Sequence, residues 1–180
     1  MNARSTNSGA SGSRPAAPHE RRALVVRAGG DRYAIPLSRV VEVLPLVTHR
    51  AVAGTPPWLL GLFDRHAALL PLVDLSVLLG GDATPSTMGA RIVVVDATAG
   101  SGVAEDDNRP RGIGVLVRGV DSIGEDGGGE DGGHPGFDVE GGDHLGPLSI
   151  DSDGVVQWLR LDEVLTEAHR RLLFGRDGRS

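Results

Sequence analysis

Residues 55–75, with the sequence TPPWLLGLFDRHAALLPLVDL, constrain the fold of this chain more than any other stretch. The stretch opens with a Pro-Pro pair, which cannot lie inside a helix because proline lacks a backbone N–H and clashes with the preceding turn. Two apolar runs of strand length follow, separated by Asp64, Arg65 and His66. Such runs around a charged corner predict a buried β-hairpin, on which we expect the neighbouring segments to pack.

Short segments with alternating or β-branched apolar residues predict further strands on both sides of this hairpin. Turn signals separate several of them, as at Gly29-Gly30-Asp31 and Asp153-Gly154. The segments are 23–28, 33–37, 40–44, 91–96, 112–117, 147–150 and 155–159. About eight short strands favour a mainly β fold, and periodicity alone allows either a barrel or a sandwich.

Three segments differ from the strands in composition. Residues 1–22 contain almost no apolar side chains, so we expect a disordered tail. Residues 122–146 combine Gly with Asp and Glu, so we expect a long flexible loop. A C-terminal helix is predicted over residues 162–174, with Asp162 as its N-cap. Its apolar face would consist of Val164, Leu165, Ala168, Leu172 and Leu173.

The overall composition argues against several classes of protein. The net charge of -6 disfavours nucleic-acid binding, which needs a basic surface. The absence of Cys excludes disulfides and thiol chemistry. No apolar run approaches the ~20 residues that cross a bilayer, and the N-terminus lacks an apolar signal segment. We therefore expect a cytoplasmic protein without direct membrane insertion.

No arrangement of side chains predicts catalysis, a metal site or a cofactor. The six His residues lack zinc-binding spacing, and no Ser lies in a nucleophile-elbow pattern. Asp64 and His66 could form a catalytic pair, but polar residues at a hairpin corner are more often simply solvated. The run Asp151-Ser152-Asp153-Gly154 resembles the start of a calcium loop, yet Val155 stands where a ligand is expected. A turn is the better interpretation of that run.

Two apolar features leave alternatives open. Val40 and Val41 are adjacent in a predicted strand, so one of them should point outward. The outward valine would be either a small apolar contact spot or a residue covered by the terminal helix. Trp58 and Trp158 could anchor a partner, but a chain with 3% aromatic residues more often keeps both in its core.

The central hairpin resembles a segment of the CheW-like chemotaxis coupling proteins that reads G-V-V-N-L-R-G-x-V-I-P-V-V-D-L. Gly61, Leu62 and residues 69–75 fall on this pattern without a gap. Further matches follow in the family's order, at Tyr33, Ile35, Val40, Glu42, residues 91–95, residues 112–121 and the last strand and helix. The chain is similar to this family over about residues 23–173.

The resemblance implies a mainly β fold of two SH3-like five-stranded β-barrel lobes with a C-terminal helix. We expect the first lobe over residues 23–80 and the second over residues 90–160. The family implies a non-catalytic adaptor without a cofactor. Its partners would be the cytoplasmic tip of a methyl-accepting chemoreceptor and the regulatory domain of a CheA-type histidine kinase. The rival hypothesis is a diverged binding module of the same fold, for a small ligand or calcium.

By position, the resemblance implies a receptor-contact site formed by Val40, Glu42 and the corner of Asp64, Arg65 and His66. The corner also departs from the family, whose Arg aligns with His66 and whose Gly aligns with Ala67. If the Gly position needs a positive φ, Ala67 costs about 1 kcal/mol or reshapes the turn.

Overall fold

The computed structural model describes residues 22–97, 112–125 and 145–174, and within them the chain is mainly β. The strands are β1 (Arg22–Ala28), β2 (Asp31–Pro36), β3 (Val40–Pro45), β4 (His49–Arg50), β5 (Leu59–Arg65), β6 (Ala68–Asp74), β7 (Arg91–Asp96), β8 (Gly112–Val117), β9 (Gly119–Glu125), β10 (Leu145–Asp151) and β11 (Gly154–Leu159). Three short helices accompany them, α1 (Leu75–Leu78), α2 (Leu161–Val164) and α3 (Glu167–Phe174). None of these helices has the length and apolarity that crossing a bilayer requires.

The strands form two sheets whose members come from different parts of the chain. The first sheet has the order β10-β11-β2-β1-β9, and the second has the order β3-β7-β8-β6-β5-β4. The N-terminal hairpin thus pairs with strands from the far end, while the middle of the chain builds the second sheet. The sheets therefore do not follow the expected division into residues 23–80 and 90–160.

The position of β1 explains this arrangement. Leu24 and Val26 belong to the larger core cluster, and Ala23 and Val25 belong to a smaller cluster with Ala34. A strand buried on both faces must lie inside a sheet, with hydrogen-bonded neighbours at both edges. β2 supplies one neighbour, and β9, from much later in the chain, supplies the other.

A charged network crosses the first sheet. The Arg32 guanidinium binds both carboxylate oxygens of Asp151, at 2.6 and 2.8 Å, and its Nε donates to Asp121 at 3.1 Å. The hydrogen bonds to Asp151 are the main reason why the pKa of Arg32 is raised. Because Arg32 lies on β2, Asp121 on β9 and Asp151 on β10, one side chain joins three strands.

The predicted hairpin of residues 55–75 is confirmed as β5 and β6, and two glycines let it pack closely. Gly61 has φ +135°, and a Cβ there would overlap the carbonyl oxygen of Arg50 on β4. A Cβ at Gly114 on β8 would overlap the ring of Phe63. Both positions therefore exclude a side chain for steric reasons.

The hairpin ends at Asp74, a carboxylate that is 1% exposed. Its side chain accepts hydrogen bonds from the backbone N–H of Ser76 at 3.0 Å and of Thr84 at 2.7 Å. The Thr84 hydroxyl donates to the same carboxylate at 2.8 Å. One buried group thus caps α1 and ties the following connector to the hairpin.

The prediction of a flexible loop over residues 122–146 is wrong at both ends. β9 continues to Glu125 because Ser122 and Ile123 pair with Val25 and Leu24 of β1, and β10 begins at Leu145. Backbone pairing extends a strand without requiring apolar side chains, so composition understated its length. Residues 126–144, residues 1–21 of the tail expected over residues 1–22, and the segment 98–111 lie outside the described residues, whereas Arg22 begins β1.

The prediction of a single helix over residues 162–174 is also wrong, because two helices, α2 and α3, occupy this stretch. Leu165 lies between them in a non-helical conformation and is buried in the larger core cluster. Arg160, not Asp162, occupies the N-cap position of α2. The Asp162 carboxylate instead binds Arg39 and Arg170. The free energy gained by burying Leu165 therefore outweighs the free energy that a continuous helix would gain.

We predict that Gly61→Ala lowers the free energy of unfolding by at least about 2 kcal/mol, because the new methyl group collides with β4 in a left-handed conformation. Urea denaturation measures the change. Gly54→Ala is the matched control, since Gly54 also has a positive φ of +77° but has no heavy atom within 4 Å of a Cβ. The control should cost only about 1 kcal/mol. Equal costs would show that β4 does not lie against Gly61.

Candidate partner-binding site

Three of the predicted site residues meet at one corner of the second sheet. The Nε of Arg65 donates to the Oε2 of Glu42 at 2.7 Å, and the Nε2 of His66 lies 3.6 Å from the same oxygen. Glu42 lies on β3, whereas Arg65 ends β5, near the opposite side of the strand order. Their contact therefore shows that the second sheet curls until its two sides meet. We call Glu42, Arg65 and His66 the corner cluster.

In the corner cluster, the negative charge of Glu42 lies beside the positive charge of Arg65. The hydrogen bond from Arg65 is the main cause that lowers the pKa of Glu42, and partial desolvation opposes it. The charges of Arg65 and His66 lower this pKa further. Glu42 and Arg65 are each mostly covered, whereas the His66 side chain is 73% exposed. The pair therefore forms a fixed base from which His66 projects into solvent.

The turn that carries His66 is strained. His66 has φ +51° and Ala67 has φ +64°, and the two residues form the whole loop between β5 and β6. Positive φ at both central residues is the type I′ geometry that matches the twist of a hairpin. Ala67 thus needs the positive φ that its alignment with a family glycine implied. Asp64 supports the turn, since its Oδ1 accepts the N–H of Ala67 at 3.2 Å.

The valine that points outward is Val41, not Val40. Val40 is half-buried and packs against the larger core, whereas Val41 is 53% exposed and Val43 is also exposed. Because side chains alternate along a strand, Val41 and Val43 share the face of β3 opposite to Glu42. β3 also ends the strand order of its sheet, so an edge of its backbone has no strand neighbour among the described residues. Sequence reasoning missed Val43, which alternation from Val41 could have found.

The remaining polar and aromatic candidates have structural roles. Trp58 packs on the larger core and its ring lies edge-on to His169, with centroids 4.6 Å apart. Trp158 packs on the smaller cluster and donates to the Ser149 hydroxyl at 3.2 Å. Asp151, which opens the calcium-like run, is bound to Arg32. In the described ranges, no three side chains of His, Asp or Glu are grouped to hold a metal.

Comparison with known proteins identifies the family. The CheW-like domain model matches residues 22–169, so the chain belongs to the CheW-like family. The crystal structure of scaffolding protein TtCheW from Thermoanaerobacter tengcongensis has the same fold, with a TM-score of 0.69 at 16% identity. That match covers 87% of this chain and 99% of the other.

Two curated relatives share shorter stretches with this chain. Chemotaxis protein CheW of Helicobacter pylori is 30% identical over 67 residues, which are 37% of this chain and 41% of that protein. Protein PilI of Pseudomonas aeruginosa is 31% identical over 70 residues, which are 39% of each chain. The chain therefore spans about two fifths of the length of these relatives.

We predict that Ala67→Gly raises the free energy of unfolding by about 0.5–1 kcal/mol, because glycine adopts the left-handed conformation of the turn without strain. Urea denaturation measures the gain. Ala68→Gly is the control one residue further, inside β6, and should lower the free energy of unfolding by a similar amount. A loss of stability in both variants would contradict the turn geometry.

We also predict that the Glu42 carboxyl titrates below its ordinary pKa of 4.5 and that Arg65→Gln raises this pKa. A carboxylate whose pKa is lowered in the folded state stabilises the fold at pH values above its ordinary pKa. This contribution is lost as the pH falls through the folded-state pKa. The wild type should therefore lose more stability below pH 4.5 than Arg65→Gln does. Carboxyl ¹³C NMR measures the titration, and His66→Gln should give a smaller rise. An unchanged Glu42 pKa in Arg65→Gln would contradict the ion pair.

Proposed function

We propose that this protein is a non-catalytic CheW-like adaptor, which couples the cytoplasmic tip of a chemoreceptor to the regulatory domain of a CheA-type histidine kinase. The observation that carries the proposal is the family match over residues 22–169, which spans both sheets and the corner cluster. The proposal places the protein in the cytoplasm, where both partner surfaces lie. The likeness to protein PilI as well as to a chemotaxis CheW supports a role in either flagellar or pilus-based motility signalling.

An adaptor of this kind needs two faces that do not overlap. On the second sheet, β3 combines the corner cluster on one face with exposed Val41 and Val43 on the other. On the first sheet, Ile150 and Val155 are directly paired across β10 and β11, and both are exposed. Because the two faces lie on different sheets, both partners could bind one adaptor at once.

We assign the receptor to β3, the strand at one end of the order of the second sheet. Glu42 and Arg65 neutralise each other, so the corner carries little net repulsion toward a charged partner, and His66 extends beyond the pair. Val41 and Val43 lie on the opposite face of β3, so a receptor that wraps around the free edge of this strand would bury their apolar area as well, which favours association. Val40, which packs inward, would act by holding β3 in place, and Asp64 would act by holding the turn.

We assign the kinase to the face on β10 and β11. The resemblance implies that the kinase regulatory domain has the same two-lobed β fold, and similar sheets can associate through exposed strand edges. β10 ends the strand order of the first sheet, so it offers such an edge among the described strands. The Ile150–Val155 pair lies beside that edge and provides an apolar contact.

We predict that two matched variants each lose affinity for a different partner. Calorimetric titrations with the receptor tip and with the kinase regulatory domain measure both affinities. Val41→Asp should weaken receptor binding at least about tenfold and spare kinase binding, because a charge then occupies the apolar receptor contact. Val155→Asp should do the reverse. The two valines suit the comparison because their exposures are 53% and 54%. Wild-type binding is expected near micromolar strength, or about -8 kcal/mol.

His66→Glu tests the corner cluster separately, since it places a second carboxylate beside Glu42 and should reduce receptor binding only. Circular dichroism checks that each variant remains folded. If the wild type binds neither partner encoded in the same genome, the adaptor proposal fails. If Val41→Asp and Val155→Asp weaken both partners equally, the assignment of one face to each partner is wrong.

A further inference from the structure

A polar cleft of about 380 Å³ lies where the two sheets adjoin, and none of the residues assigned to the receptor and the kinase lines it. Three arginines from different parts of the chain line it, Arg27 on β1, Arg91 at the start of β7 and Arg118 between β8 and β9. Their backbones are held together, since the N–H of Arg118 donates to the carbonyl of Arg27 at 2.8 Å and Arg91 pairs with Val117. The fold itself therefore brings these three arginines to one place.

Within the part of the chain that the structure describes, the arginines of the cleft have hydrogen-bond donors without a partner. Arg91 is fixed through Nη1, which donates to the carbonyls of Met88 at 2.7 Å and Ala90 at 2.8 Å, and its other nitrogens have no partner among the described residues. Arg27 uses Nε on Asp121 at 2.7 Å. Arg118 is exposed, and no carboxylate in the described ranges pairs with it. Each arginine thus has nitrogens that can bind an incoming anion.

The local charge is opposite to the charge of the whole chain. Asp121 is the one carboxylate among the described residues that line the cleft, and it is shared between Arg27 and Arg32. The three arginines therefore outweigh the acidic group, in a chain whose net charge is -6. A positive cleft on an acidic protein is not explained by average composition, and the two partner faces do not use it.

We propose that this cleft binds a small divalent anion, of phosphoryl or dicarboxylate type. Guanidinium groups bind both chemistries through paired N–H donors, and the excess positive charge suits a dianion. The Thr87 hydroxyl can donate a hydrogen bond to such a ligand, and Gly89 and Gly119 add no side chain to the lining. The described lining has no aromatic ring, which disfavours a ligand recognised by base stacking. The volume also leaves room for more than the charged group, since small-molecule pockets begin at about 300 Å³.

The test is isothermal titration of the full chain with inorganic phosphate and with malonate, at constant ionic strength set by chloride. We expect saturable binding of at least one dianion, and Arg118→Gln should weaken it about tenfold or more, since a charged hydrogen-bonded pair is lost. Arg50→Gln is the matched control, because Arg50 is exposed on β4 outside the cleft and its loss changes the net charge equally. The control should bind as the wild type does.

The tighter of the two dianions identifies the chemistry of the site. The proposal is overturned if neither dianion binds more strongly than chloride, or if Arg118→Gln and Arg50→Gln weaken binding equally. Thermal denaturation gives a second measurement, since a bound dianion should raise the melting temperature of the wild type and not that of Arg118→Gln. Neither result depends on the kinase or the receptor, so this test and the adaptor test can fail separately.

Discussion

The burial of β1 on both faces is the constraint on which the rest of the structure depends. A strand with Val25 on one face and Val26 on the other, both in apolar cores, needs a complete sheet around it. The adjacent chain supplies only β2. β9 supplies the neighbour on the other side of β1, and β11 extends the sheet by pairing in parallel with β2. The two ends of the described chain are therefore joined in one sheet, and the middle of the chain forms the other.

This arrangement brings together charged groups from distant parts of the sequence. In the first sheet, Arg32 joins strands from both ends of the chain and leaves Asp121 and Asp151 engaged. In the second sheet, the curl that brings β3 to β5 places Glu42 against Arg65. The arginine cleft lies where the sheets adjoin and uses residues from both. The three charged sites thus follow from strand pairing, because sequence separation alone would keep their members apart.

Much of the local structure could be predicted from the sequence. The Pro-Pro approach, the two apolar runs and the polar corner gave the β5–β6 hairpin, and alternation gave most other strands. The resemblance to a family predicted the members of the corner cluster and the backbone strain at Ala67. Adjacent valines predicted one exposed side chain, but only the packing of β3 shows that Val40 is the inward one. These successes depend on local patterns of side chains.

The errors share a different cause, which is contact between residues that are distant in sequence. The mixing of both chain ends in one sheet depends on β1 pairing with β9. The same pairing extends β9 into a stretch whose composition suggested a loop. The break between α2 and α3 depends on a core position for Leu165 that no helical pattern reveals. The arginine cleft was missed because Arg27, Arg91 and Arg118 show no motif until the sheets bring them together.

The strand order also has a consequence for how the protein folds during synthesis. Every strand of the second sheet in the described ranges lies between Val40 and Val117, so these strands are all made before β10 and β11. The N-terminal hairpin emerges earlier still, but its face of Ala23, Val25 and Ala34 stays uncovered until β11 supplies Val156. Pairings between distant segments are slow to form, and unpaired strand edges are prone to aggregate. One apolar face of the first part of the described chain to leave the ribosome is therefore among the last to be buried.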